Sequence, residues 1–308
     1  MKAIALYKYG GPEVLEAVDL PTPKIGMDGI LVRTRAAGVN PVDWKIREGF
    51  LDKAFPSHFP LVPGWDLAGV VEEVGPAVTA YAVGDEVIGY VRRDHIQHGT
   101  YAELVPAPER ALAPKPMAVT WAEAAGLPLV GLTAWQALKA AYVDNGDTVL
   151  IHNAAGGVGH MAVQLARILG AATVIGTASE AKHDYLREVG AQPVTYGEGL
   201  AQRVRTLAPD GVDAVLDFVG GDAPKVSAEL LKTPERLVSI TDPGPTKQLG
   251  GRYVFVRPDT ADLSALARFV NEGRLTVHVT QTFPLAQAAQ AQQTVQDGHV
   301  LGKVVLEV

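Results

Sequence analysis

A chain of 308 residues is long enough for about two domains around large buried cores. Its net charge of −7 at pH 7 argues against bulk attraction to nucleic acid or an anionic membrane, and the absence of cysteine excludes disulfides, thiolate-ligated zinc and a cysteine nucleophile. The apolar part of Met1–Gly10 is too short for a signal peptide and no apolar run reaches membrane-spanning length, so a soluble cytoplasmic protein is expected.

The first 120 residues read as β-rich. Short strands are predicted over Ala3–Tyr7, Leu15–Val18, Ile30–Ala37, Ala68–Val74, Glu86–Tyr90 and Tyr101–Val105, punctuated by Gly and Pro. Val74-Gly75-Pro76 and Val83-Gly84-Asp85 read as turns, and the whole as a barrel-like or sandwich-like domain. His95 and His98 stand in a polar loop with no third ligand in view, which is the ordinary state of exposed histidines. Pro108, Pro114 and Pro116 mark a crossing into a second domain.

From Trp121 the pattern changes to helices and buried strands, with helices over Glu123–Leu127 and Gly131–Tyr142. The strand Thr148–Ile151 then runs into a turn of small residues, Ala154-Ala155-Gly156-Gly157-Val158-Gly159. A helix over Met161–Leu169 stops at Gly170, and a second strand covers Thr173–Gly176. This is most of a βαβ unit with Ala-x-Gly-x-x-Gly at its turn. Residues without bulk let backbone approach a pyrophosphate, while the free N–H groups and dipole of the new helix attract it. The alternative is a tight βα turn that binds nothing. His152, just before the turn, suits strand-end hydrogen bonding better than acid catalysis.

The end of the second strand selects the cofactor. An NAD site would place a carboxylate there for the ribose 2′-OH. This chain offers Thr177-Ala178-Ser179, then Lys182, and a hydroxyl with an ammonium suits a 2′-phosphate. NADPH is therefore preferred over NADH, with Glu180 pointing outward from the first helical turn. Taken alone, Lys182 is an ordinary solvated helix residue.

Further on, Ser179 is read as the cap of a helix through Val189. Then come a strand over Val194–Tyr196, a helix over Gly199–Leu207, a strand over Asp213–Val219, a helix over Ala223–Leu231 and a strand over Arg236–Thr241. Such alternation implies a doubly wound parallel sheet with ligands at the carboxyl ends of its strands. Strands over Arg252–Val256, Thr276–Gln281 and Lys303–Glu307 alternate with helices over Asp259–Asn271 and Leu285–Gln296. The last strands are expected to pack back onto the first domain. The domains are thus 1–120 with 257–308, and 121–256.

Several stretches, in this order, resemble one family. They are Ala37-Gly38-Val39-Asn40-Pro41-Val42-Asp43-Trp44-Lys45, Pro63-Gly64-Trp65-Asp66-Leu67-Ala68-Gly69, Val83-Gly84-Asp85-Glu86-Val87, Gly99-Thr100-Tyr101-Ala102-Glu103 and the Ala154–Gly159 turn. The whole chain is similar to the medium-chain dehydrogenase/reductases of the zinc-independent quinone oxidoreductase, zeta-crystallin-like branch. The resemblance implies an α/β fold: a GroES-like β-rich catalytic domain plus a Rossmann domain. Zinc-dependent members carry Cys where Asn40 stands and His-Glu where Trp65-Asp66 stand, so no metal is implied. Without a Lewis acid the chemistry suits acceptors already open to hydride, namely quinones and C=C bonds conjugated to a carbonyl.

The resemblance places Asn40, Asp43 and Lys45 at the catalytic positions. Asn40 would donate to a carbonyl, and Lys45 would serve as oxyanion partner or proton donor; the alternatives are a surface lysine and a structural Asp43. It also puts Ser179, Lys182 and Tyr196 around a 2′-phosphate, with Thr177 at the strand end. Thr133, Phe218, Val219, Phe255, Val256 and Lys303 fall toward the nicotinamide half, beside the turn residues Ala154, Ala155, Gly156, Gly157, Val158 and Gly159. The leading expectation is an NADPH-dependent reductase of quinones or enones acting on small molecules as a homodimer, with Arg236–Thr241 or Arg252–Val256 as an edge strand pairing across a two-fold. The rivals are a non-catalytic NADPH-binding redox sensor or stress protein, and a zinc alcohol dehydrogenase.

Overall fold

The computed structural model describes residues 1–308 and divides into two compact units. The first comprises Met1–Leu129, Arg257–Gly273 and Val277–Val308; the second comprises Val130–Val256 with Arg274–Thr276.

The elements begin with β1 (Lys2–Ala5), β2 (Glu16–Asp19), β3 (Gly29–Val39) and the helix α1 (Pro41–Arg47). Strands β4 (Ser57–Val62), β5 (Asp66–Val74), β6 (Glu86–Tyr90), β7 (Ile96–His98), β8 (Leu104–Pro108) and β9 (Leu112–Pro114) lead to helices α2 (Trp121–Gly126) and α3 (Pro128–Ala140). The alternating stretch is β10 (Thr148–Ile151), α4 (Gly157–Ile168), β11 (Thr173–Thr177), α5 (His183–Glu188), β12 (Gln192–Val194), α6 (Leu200–Leu207) and β13 (Ala214–Asp217). It continues through α7 (Ala223–Ala228), β14 (Leu237–Ser239), α8 (Pro243–Gln248) and β15 (Arg252–Tyr253). The chain closes with α9 (Thr260–Asn271), β16 (Val279–Pro284), α10 (Ala288–Asp297) and β17 (Lys303–Glu307).

The first unit is built on β3, the longest strand of its seven-stranded sheet. One edge of β3 pairs with β5. The other is shared, β8 lying along Gly29–Arg33 and β17 along Ala36–Val39. β3 is apolar and buried at its two ends, Ile30–Val32 and Ala36–Val39, with Arg33-Thr34-Arg35 between them, and Ile30, Val32, Ala37 and Val39 enter a core with Leu67, Val87, Val105 and Leu306. Gly38 has to be glycine: a Cβ there would stand 2.6 Å from the Ala125 carbonyl oxygen.

Three expectations change in this unit. The strand predicted over Tyr101–Val105 sits instead at β8, which includes Pro106 and Pro108. β8 pairs with β3 alone, so its prolines cost no ladder bond on the open side. The domain boundary at 121 moves to Leu129: α2 lies against β3 and β5, and the Leu129 N–H donates to Asp66 Oδ1 at 2.7 Å. The strand predicted from Thr276 starts at Val279, because the Thr276 N–H and hydroxyl both donate to Gln164 Oε1 in the second unit.

The second unit is a six-stranded parallel sheet in the order β12-β11-β10-β13-β14-β15. This is the doubly wound Rossmann arrangement, and its direction reverses between β10 and β13. Leu150, Ile175, Val215 and Leu237 share its core. β14 lies between β13 and β15, so Arg236–Thr241 is not an edge; β15 is, reduced to Arg252–Tyr253. The strand expected to reach Tyr196 ends at Val194, and Tyr196 is exposed. After Ser179 the chain makes a 3₁₀ turn, Glu180–Lys182, before α5, and the Ser179 side chain caps nothing. No helix is long and apolar enough to cross a membrane.

Candidate active site

In the first unit, β3 ends at Val39 and α1 begins at Pro41, with Asn40 as N-cap. Proline at the first helical position suits this junction, since its missing N–H is not needed there. The Asp43 carboxylate reaches back to accept the Asn40 N–H at 2.8 Å and also accepts the Tyr101 hydroxyl at 3.0 Å. Asn40 Nδ2 donates to Asp66 Oδ2 at 2.9 Å. From β17, Lys303 Nζ donates to Asn40 Oδ1 at 2.5 Å and to the Val39 carbonyl at 3.0 Å, with Asp66 at 3.7 Å. All five side chains are buried.

The cluster holds two carboxyls and one ammonium, and its electrostatics follow from that imbalance. Burial pushes Asp43 up to about 7, with the charge of Asp66 adding to the effect against the Asn40 and Tyr101 hydrogen bonds. Burial pushes Asp66 up to about 6, restrained by the Lys303 charge. Lys303 itself is lowered by burial, with Asp66 opposing. Asp43 Oδ1 is buried without a hydrogen-bond partner, and such a group is costly to ionise.

Lys45 does not join this cluster. It is exposed, with its ammonium 5.6 Å from the Trp44 ring centroid. Lys303, expected near the cofactor, is committed to Val39 and Asn40.

In the second unit, Ala154 and Ala155 are buried at the turn after β10, and Gly156 caps α4. The first helical acceptor bond found here runs from the His160 N–H to Gly156, which leaves the N–H groups of Gly157, Val158 and Gly159 ahead of it without helical acceptors. A Cβ on Gly159 would stand 2.1 Å from the Asn153 carbonyl oxygen, so helix and turn close against each other there. Thr177, at the end of β11, binds the turn: its hydroxyl accepts the Asn153 N–H at 3.1 Å and its carbonyl the Ala154 N–H at 3.0 Å. Lys182 is half-buried and lowered by burial; Ser179 is half-buried and Glu180 exposed. No carboxylate replaces the missing acid of an NAD site at Thr177-Ala178-Ser179.

At the strand ends on the other side of the reversal, Phe218 and Val256 are buried, whereas Val219 and Phe255 are 57% and 45% exposed. Exposed apolar side chains beyond the carboxyl ends of parallel strands suit a flat ring. Thr133 is buried on α3.

Three polar residues were not among the sequence candidates, and a fourth, His152, was expected only to hydrogen-bond at a strand end. Asp66 and Tyr101 complete the first cluster. In the second unit Asp217, fully buried, accepts the Val219 and Gly220 N–H groups and the hydroxyls of Ser239 and Thr241, fixing the loop after β13. His152 Nε2 lies 2.6 Å from Ser227 Oγ, and burial pulls it down to about 4, so it is neutral near pH 7. Only Asp217 carried a readable signal, a charge ending an apolar strand at the sheet's ligand edge. No group of three or more His, Asp or Glu side chains is arranged to hold a metal ion.

Family models and relatives agree with this architecture. Residues 26–117 match the alcohol dehydrogenase GroES-like domain and residues 169–306 the zinc-binding dehydrogenase domain. The chain is 36% identical to an NADPH-dependent alkenal/one oxidoreductase of Arabidopsis thaliana chloroplasts, covering 99% of this chain and 79% of the relative. A solved quinone oxidoreductase from Coxiella burnetii is 36% identical with a TM-score of 0.89, covering 100% of this chain and 99% of that one. A mycobacterial protein solved in complex with NADPH is 34% identical with a TM-score of 0.85, both chains being covered in full. This chain is an oxidoreductase and belongs to the medium-chain dehydrogenase/reductases, in the quinone oxidoreductase branch.

Proposed function

We propose that the chain uses NADPH to reduce quinones or α,β-unsaturated carbonyls without zinc, as a homodimer. The observation that carries this is the β10–α4 turn, where small residues and unbonded N–H groups meet a β11 end that has hydroxyls and a half-buried lysine in place of a carboxylate. Bound NADPH would supply a hydride to an electrophilic carbon of the substrate. The residues of this chain hold and orient. The Gly157–Gly159 amides take the pyrophosphate, while Ser179 and Lys182, with Tyr196, take the 2′-phosphate and Thr177 holds the turn beside them. The apolar faces of Phe218, Val219, Phe255 and Val256 exclude water from the nicotinamide. Asn40 keeps a second Nδ2 hydrogen beyond the one given to Asp66, a donor for a carbonyl oxygen. Asp43, at about 7, is the carboxyl of the cluster most able to hold a proton at neutral pH.

The donor set does not fit a catalytic zinc. Asn40 and Trp65 supply no ligand of the usual kind, and Asp66 is committed to Asn40, Leu129 and Lys303. The short edge strand β15, which has no partner on its outer side, supports two-fold sheet pairing as the mode of dimerisation. Purified protein with NADPH and a panel of quinones and enones tests the assignment through loss of the reduced-nicotinamide absorbance. Turnover on at least one class is expected. NADPH binding with no turnover across the panel would make the chain a sensor instead.

A further inference from the structure

Away from the cluster around Asn40, the first unit has a cavity of about 500 Å³. Its walls are the loop before β3, the loop after β6, the end of β8 with the residues that follow, and Arg257-Pro258. Five cations line it, Lys24, Arg92, Arg93, Arg110 and Arg257, against two carboxylates, Asp28 and Asp94. The formal local charge is +3 in a chain of net −7.

Carboxylates offset two of these cations, Arg92 and Arg257. Asp94 is almost fully exposed and stands 3.8 Å from Arg92. Arg257 pairs outside the lining with Asp259 at 3.2 Å. Arg93 is anchored by a bond from its guanidinium to the Pro106 carbonyl, yet its Nε is buried without a partner. Arg110 is close enough for its charge to act on Arg93, and burial with that repulsion lowers Arg93 from its ordinary value. Like charges held together around a concavity focus a field that attracts an anion. Guanidinium forks match phosphate oxygens in shape as well as charge.

We propose that this cavity binds a small, multiply charged phosphate ligand, an oligophosphate or a phosphorylated metabolite, at a site separate from the glycine turn. The volume suits a small molecule, and the overall negative charge of the chain disfavours a nucleic-acid or membrane surface.

Isothermal titration with tripolyphosphate, on full-length protein already saturated with NADPH, tests this. One binding site is expected, weakened at least tenfold in Lys24→Gln/Arg110→Gln and in Arg93→Gln. Lys24 and Arg110 are exposed, so the double variant is expected to fold even where Arg93→Gln does not. Its NADPH affinity should stay at the wild-type value, which separates this site from the cofactor assignment. Absence of binding would overturn the proposal, as would binding unchanged in the double variant. Capture by phosphatidylserine vesicles without a tripolyphosphate signal would assign the charge to a lipid surface and overturn it too.

Discussion

Asp43 is fully buried, and that burial, with the charge of Asp66 and an Oδ1 that faces no donor, outweighs the Asn40 and Tyr101 hydrogen bonds. Its acidity is therefore a statement about folding. Between its ordinary value of 3.8 and about 7, the folded chain holds a proton that the unfolded chain has released. Stability then falls as pH rises through that window and levels off above it, and Asp66 contributes with the same sign up to about 6. Urea midpoints measured across this range should decline for the wild type by the equivalent of a few kcal/mol, roughly, and decline less in Asp43→Asn. Equal slopes would place the retained proton elsewhere. Gly159 is a second residue-scale constraint. A methyl group there meets the backbone of Asn153 and Ala154, neither of which can rotate away. Gly159→Ala should cost about 1–3 kcal/mol in chemical denaturation and weaken NADPH binding, by fluorescence titration, at least tenfold. The motif brings Asn40 and Asp43 into one cluster while Lys45 stays outside it: residues two apart on a helix do not share a face. Asp66 reaches the cluster from β5, Tyr101 from the segment before β8 and Lys303 from β17, through long-range pairings that leave no local trace.

Among the elements, the legible ones changed period. The strand-to-helix switch at Ala154–Gly159 announced β10, α4 and β11 to within a few residues, because glycine positions and apolar spacing agree there. The illegible ones were short or carried proline. β4 contains Pro60, β9 ends at Pro114, and α8 begins Pro243-Gly244-Pro245, a sequence that reads as loop until Asp242 is seen accepting the Gly244 N–H. In the proposed function, cofactor specificity falls to the stretch after β11. Its 3₁₀ turn puts Lys182 half-buried one turn beyond Ser179, where a continuous helix capped by Ser179 was expected. Lys182→Glu should raise the KM for NADPH about tenfold or more while changing that for NADH much less, since only the former carries the 2′-phosphate. Parallel increases for both cofactors would mean that Lys182 supports the turn rather than reading the phosphate.

On the scale of the whole molecule, the split into a β-rich and a doubly wound unit followed from the change in composition near residue 120, whereas the exact partition did not. Leu129 is drawn to the first unit by its bond to a buried aspartate, and Arg274–Thr276 to the second, where Gln164 binds Thr276. These are contacts of single side chains that no composition shift can report. The same scale governs the question of zinc, because the family model matched by residues 169–306 is described as zinc-binding. A catalytic zinc needs three protein ligands with lone pairs to spare. This chain has no thiolate, presents an amide and an indole at Asn40 and Trp65, and already binds Asp66 to a lysine, an amide and a backbone N–H. Protein purified without added metal should therefore contain far less than one equivalent of zinc by elemental analysis, and prolonged dialysis against a chelator should leave its NADPH-dependent turnover unchanged. Activity lost to the chelator and restored by zinc alone would require Asn40 and Asp66 to exchange Lys303 for a metal, and the proposed mechanism would fall with that exchange.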